Sequence, residues 1–123
     1  MSTLVTSNIS DGTTSVGTGY VVNGSAKAWV TFQATGTVTV LDGLNVSSLT
    51  DDGVGITGVV FTNAFSDSNR CPNLNTEDSN TIVVYSQFAT TDTNTASKVV
   101  CRTYSGAYDD CEKNYLSVHG DLA

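Results

Sequence analysis

The residues able to do chemistry are few, and their spacing matches no catalytic centre. The only histidine, His119, stands four residues from the end of the chain. General acid–base catalysis needs a group titrating near the working pH, or paired carboxylates whose pKa values are pushed apart. His119 has no such setting in the sequence and reads as a surface or interface residue. No HExxH, GxSxG, P-loop or GxGxxG run occurs, so neither metal-assisted hydrolysis, a serine nucleophile nor a nucleotide site is written here. The expectation is a non-enzymatic protein with no catalytic residue and no cofactor.

Cysteine and aspartate offer the remaining chemistry. Three cysteines, Cys71, Cys101 and Cys111, are an odd number, so at least one thiol is free or pairs between chains. None sits in a CxxC spacing, which argues against zinc. Two readings stand. Cys101 and Cys111 bridge across a hairpin, or all three are reduced, small, half-buried residues of a cytosolically made protein. Asp51-Asp52 and Asp109-Asp110 have the oxygen chemistry of a Ca²⁺ site but not the spacing of an EF-hand. The plainer reading is of turns whose side chains bond their own backbone, and no metal is assigned. Three Asn-x-Ser tripeptides, at Asn8, Asn23 and Asn45, read as products of a Ser- and Asn-rich composition. Aromatic residues gather in the second half as Tyr85, Phe88, Tyr104, Tyr108 and Tyr115. Tyr108 lies on a polar loop beside Asp109 and Asp110, and these three are expected as a surface contact. The other four are expected in the core or between subunits.

The elements that position these residues are short strands. Thr, Ser, Asn and Gly make up 54 of the 123 residues, while charged residues are only 14%. Thr and Val favour strands because β-branched side chains pack well on a pleated surface, and good helix formers are scarce. Lys27 to Gln33 is strand-like, with Trp29 and Thr31 facing one way and Ala28, Val30 and Phe32 the other. Thr37 to Leu41 alternates again, so the two runs form a hairpin around Ala34-Thr35-Gly36. Asp42-Gly43 is read as a turn. Asn45 to Thr50 is a short strand with Val46 inward, and Asp51-Asp52-Gly53 is the next turn. Ile56 to Thr62 is a strand in which Gly58 marks a bulge or a close backbone approach. Residues 63–80, with Pro72, are read as a surface loop. Thr81 to Phe88 is the strongest strand, and Thr90 to Thr95 a polar turn. Lys98 to Tyr104 is a strand, Ser105 to Asn114 a loop, and Tyr115 to His119 the closing strand. Turn signals about every 10 residues indicate an all-β fold: a single antiparallel β-sandwich or jelly-roll-like domain over 26–123 with an extended N-terminal arm over 1–25.

The arm stands apart by composition. Its apolar residues Leu4, Val5, Ile9, Val16, Tyr20, Val21 and Val22 are scattered among Gly, Ser and Thr and cannot build a core alone. They fit a segment ordered by contact with a partner. No apolar run reaches the roughly 18 residues of a membrane helix, and no secretory leader is visible at the start. The net charge of −7 excludes a basic phosphate-binding surface, so no nucleic acid partner is expected.

The sequence resembles a family of short phage virion proteins, described as tail fibre or structural proteins and frequent in marine phages. The carrying segments are Ser2 to Val22 (STLVTSNISDGTTSVGTGYVV), Asn23 to Val40 (NGSAKAWVTFQATGTVTV), Asn45 to Gly55 (NVSSLTDDGVG) and the closing His119 to Ala123 (HGDLA). The family usually reads AKAWVNF, then NGTGTV, then an NVSS segment ending in DYTVNF. Here Gln33-Ala34 replace the Asn-Gly pair, and Ile56 to Phe61 replace DYTVNF. The likeness covers the first half, to about Asn69; the second half shares only its strand pattern. The resemblance implies a virion protein assembled in the host cytoplasm, homotrimeric, held to other virion proteins of the tail or capsid by its N-terminal arm. Leu4, Val5, Ile9, Val16 and Tyr20 are then the attachment residues, and Trp29 and Phe32 the core or interface anchors. The segments Cys71 to Asn80 and Ala107 to Glu112 are expected to be distal and exposed, facing a host-surface glycan or protein. A tail fibre or fibre-tip protein is the first expectation. A capsid decoration protein is the alternative, and a carbohydrate-binding module acting through Tyr108 is the third.

Overall fold

The computed structural model describes residues 1–79, 81–86 and 94–123. Expectations placed on Asn80, Gln87, Phe88 and residues 90–93 fall outside these. The described chain is an all-β sandwich. Its strands are β3 (Ala28–Gln33), β4 (Thr39–Leu44), β5 (Val46–Gly53), β6 (Ile56–Phe61), β7 (Cys71–Glu77), β8 (Thr81–Ser86), β9 (Ala96–Thr103) and β10 (Lys113–His119), preceded by β1 (Asn8–Ser10) and β2 (Ser15–Gly17) of the N-terminal segment. One sheet has the order β4-β3-β10-β7 and the other β5-β6-β9-β8, with every pairing antiparallel.

Alternation along the strands builds the core. Ala28, Val30 and Phe32 of β3 meet Leu116 and Val118 of β10, and across the sandwich they pack against Val59 and Phe61 of β6 and Val99 and Cys101 of β9. Phe65 closes one end, its ring edge-on to Phe61 at 5.0 Å between centroids. Val46 is half-buried against this core, as its strand position requires.

Two expectations about turns are corrected. Asp42-Gly43 lies inside β4, where a bulge opposite Thr31 and Phe32 absorbs the extra residue Leu41. Gly43 is needed because a Cβ there would stand 2.9 Å from the Trp29 carbonyl oxygen. The chain turns instead at Asn45, whose φ of 58° Asn tolerates. Asn45 also bonds both backbone groups of Asn63 through its side chain. Asp51-Asp52-Gly53 likewise belongs to a strand, the end of β5, and the reversal falls on Val54-Gly55. Gly58 is a close approach: a Cβ there would collide with the Thr50 hydroxyl.

The segment 63–80, expected as a loop, contains β7. This strand pairs with β10 along its whole length, from Lys113↔Glu77 to His119↔Cys71. It lies at a sheet edge, where proline is tolerated because one side of the strand has no ladder hydrogen bonds to make. Its residues alternate between exposed and half-buried, so only part of Cys71 to Glu77 faces outward.

Residues 1–25 lie outside the core, as expected, but they are not extended throughout. A hairpin of β1 (Asn8–Ser10) and β2 (Ser15–Gly17) leads into a seven-residue helix α1 (Thr18–Gly24). Asp11 closes the hairpin by accepting hydrogen bonds from the N–H groups of Thr13 (2.9 Å) and Thr14 (2.7 Å). Those bonds, Thr14 first, hold its carboxyl below the usual carboxylate range. Lys27 ties the end of the helix to the sandwich by donating to the Val22 carbonyl and to the Ser25 carbonyl at 2.9 Å.

Candidate functional site

The arm residues expected to make the attachment are bare. Leu4, Val5 and Tyr20 are 85%, 90% and 80% exposed, and Ile9, Val16, Val21 and Val22 are exposed as well. The hairpin puts Ile9 opposite Val16. No residue of α1 is buried. This concentration of uncovered apolar side chains on one short segment is what a docking element offers a partner.

A second surface surrounds Tyr108. The loop after β9 turns at Gly106 (φ 86°) and folds back, so that Tyr108 bridges to Arg102. The Arg102 guanidinium lies 4.3 Å from the centre of the Tyr108 ring and 5.8 Å from that of Tyr85. It also donates to the Tyr108 hydroxyl at 2.7 Å. One face of Tyr108 is therefore occupied by a cation, although the residue remains exposed. Its expected companions turn inward. Asp109 and Asp110 are half-buried, and Asp110 accepts a 2.6 Å hydrogen bond from the Gly55 N–H. Gly55 must be glycine: its φ is 67°, and a Cβ would stand 2.6 Å from the Cys101 carbonyl and 2.7 Å from the Asp109 nitrogen. Asp110 thus ties its loop to the turn that follows the end of β5. The other aspartate pair is engaged locally: Asp51 accepts from the Gly53 N–H, and Asp52 pairs with Lys98 at 3.3 Å. Among the described residues no group of three or more His, Cys, Asp or Glu side chains is placed to hold a metal ion. Tyr104, expected inside, is 87% exposed and the most open aromatic of this loop.

The third surface was not legible in the sequence. It is the outward face of the sheet β4-β3-β10-β7. Register places Trp29, Ser117 and Asn73 in one row across three strands, with Thr31, Tyr115 and Asn75 in the next. These six line a groove of about 320 Å³ whose floor is the backbone of the three strands. Trp29 is accordingly no core residue: it is 36% exposed, whereas Phe32, three residues on, is fully buried. The odd spacing puts them on opposite faces. Tyr115 is held in place by donating a 2.7 Å hydrogen bond to Glu77, which also pairs with Lys113 at 3.7 Å. That hydrogen bond, followed by the Lys113 charge, keeps the Glu77 carboxyl below its usual range, and the same bond raises the Tyr115 hydroxyl. The signal available in the sequence was the alternation Asn73-Leu74-Asn75-Thr76, amides alternating with Leu and Thr, masked by Pro72.

No disulfide joins the three cysteines; Cys71 is exposed, and Cys101 and Cys111 are buried. Cys101 donates to the Asn114 side-chain oxygen at 3.1 Å, and the fully buried Asn114 also binds the Cys111 carbonyl and Thr76. Burial first, then the adjoining Cys111 thiol, drive the Cys101 thiol far above its ordinary value. A thiol so strongly held in its neutral form is a poor nucleophile, and this pair serves packing.

No protein-family model, curated protein or solved structure matches the chain.

Proposed function

We propose that this chain is a non-enzymatic structural protein of a phage virion, a homotrimeric tail fibre or fibre-tip protein. It attaches through residues 1–25 and turns its C-terminal half toward the host surface. One observation carries this reading: the arm holds Leu4, Val5, Ile9, Val16 and Tyr20 uncovered on its own molecule. Burying such side chains is worth roughly 25 cal/mol per Å² of apolar surface, and a partner subunit or virion protein would collect that stabilisation. Self-association is supported by β4, an edge strand exposed at every position, which carries Val40, Leu41 and Leu44 in the open. Edges of this kind invite pairing unless another copy covers them. The loop bearing Tyr104 and Tyr108 supplies the exposed aromatic contacts of the C-terminal half.

Deleting residues 1–25 tests the arm. The truncated chain should remain folded and oligomeric yet fail to join virions; normal incorporation would refute the attachment role. Quantifying the chain per particle against the major capsid protein tests the location. A few to a few tens of copies fit a fibre. A number approaching that of the capsid protein would replace the fibre reading with capsid decoration.

A further inference from the structure

We propose that the groove on the outward face of β3, β10 and β7 binds a neutral saccharide. This goes beyond the virion reading and does not require it. The backbone of the groove floor is engaged in the sheet ladders on both sides of β3 and β10. A ligand there cannot add as a strand and must be recognised by side chains.

The side chains on offer are of two kinds. Trp29 and Tyr115 sit diagonally on adjacent strands, the arrangement in which large rings reach one another across about 7–8 Å. Flat apolar plates of this sort match the C–H faces of pyranose rings. Around them stand the hydroxyls of Thr31 and Ser117 and the amides of Asn73 and Asn75, groups that both donate and accept, as sugar hydroxyls do. Each amide is partly engaged within the protein, Asn75 Oδ1 accepting from the Thr76 N–H at 2.8 Å and Asn73 Nδ2 lying 3.4 Å from His119 Nδ1, so the Asn75 amide N–H groups and the Asn73 carbonyl oxygen are what they offer a sugar. None of the six is charged. The chain's net charge of −7 disfavours an anionic polysaccharide. Among the described residues the stacked cations are Arg70 and Arg102, and neither lies on Trp29 or Tyr115. The Tyr115–Glu77 hydrogen bond fixes one ring in advance, which lowers the ordering cost of binding. At about 320 Å³ the groove falls at the small end of ligand sites. A second copy of the chain is the poorer occupant, because packing this face on itself would take both asparagine amides out of water without assured partners.

Trp29 is the chain's only tryptophan, so its emission reports on this groove alone. Gluco-, galacto- and manno-configured neutral hexasaccharides should be titrated into the full-length protein. At least one should change the Trp29 emission saturably. Ser117→Lys, which keeps the fluorophore and places a long side chain across the middle of the groove, should abolish that change. Trp29→Ala, followed by calorimetry, should weaken binding by at least about tenfold, equivalent to about 1.4 kcal/mol. Tyr108→Ala should leave binding intact, which separates this site from the loop surface. The proposal falls if none of the hexasaccharides alters the emission, or if Ser117→Lys binds like the parent. It also falls if the emission follows protein concentration rather than sugar, which would make the face an interface between copies. None of these outcomes bears on whether deletion of residues 1–25 prevents virion incorporation, so the two readings fail separately.

Discussion

The two outward faces of the sandwich both carry aromatic side chains and treat them in opposite ways. On the β5-β6-β9-β8 face, Arg102 sits between Tyr85 and Tyr108 and occupies a ring face of each. The adjoining loop is tied down through Asp110 and Gly55. On the β4-β3-β10-β7 face, Trp29 and Tyr115 are left beside neutral amides and hydroxyls, with one tyrosine hydroxyl anchored to a carboxylate. Exposure alone does not distinguish them, since Tyr108 is 42% exposed and Trp29 is 36%. What distinguishes them is whether a cation already occupies the ring. An aromatic residue whose face is taken by a guanidinium contributes to structure first, and one with no cation on its face and neutral polar side chains alongside can serve a ligand.

Substitutions that break or sharpen this contrast differ in size. Phe32→Ala should be the most damaging, because Phe32 lies between the sheets and supports both faces. The expected loss is about 3–5 kcal/mol in chemical denaturation, and the Trp29 emission and the tyrosine signals should change together. Gly55→Ala should act mainly on the loop face. The left-handed backbone and the backbone atoms met by the new Cβ together should cost about 2–4 kcal/mol. In the folded fraction, the NMR signals of Tyr108 and Asp110 should move while that of Trp29 holds. Arg102→Ala should cost about 1 kcal/mol. Its clearer mark is a freed Tyr108 ring, seen as a narrowed, shifted resonance.

The smallest effect belongs to the Glu77–Tyr115 pair and is read by titration. Glu77 has a folded-state pKa below its unfolded value. Its contribution is therefore present above the ordinary glutamate range and lost as the pH falls through the folded value. Tyr115 is shifted upward, so its contribution is present below the ordinary tyrosine value and lost as the pH rises through the folded one. Tyr115→Phe should bring the Glu77 carboxyl back toward its ordinary range, leaving only the downward pull of Lys113, as followed by carboxyl NMR.

The strands with strict alternation were the legible part. Ala28, Val30 and Phe32 against Trp29 and Thr31 defined β3 and its inward face, while β6, β9 and β10 showed as short strand-like runs between turn signals. Local turn chemistry misled where tertiary pairing overrode it. Asp42-Gly43 carries a turn signal, yet a bulge and the close passage of the Trp29 carbonyl keep it in β4. β7 was hidden because an edge strand with two outward asparagines and a proline has the composition of a loop. The groove followed from that omission. Its six residues come from three strands, and their neighbourhood is set by register, which no local pattern reveals. Of the expected contact trio, Tyr108 lies where its loop position placed it, whereas Asp110 turned inward toward a glycine 55 residues earlier in the chain.

The central pairing of the sandwich's first strand with its last has a consequence for how the protein is made. β3 and β10 lie side by side in the middle of one sheet, joining the two ends of the domain. That ladder closes a loop spanning nearly the whole sandwich, and its closure entropy must be met before the inner face of β3 is covered. Such topology is slow to fold, because its rewards come from contacts distant in sequence. Among the described strands, β10 is also synthesised after the others. Until it emerges, Val30 and Phe32 lack their Leu116 and Val118 neighbours, so a chain cut short before β10 would be a misfolding hazard rather than a smaller working domain.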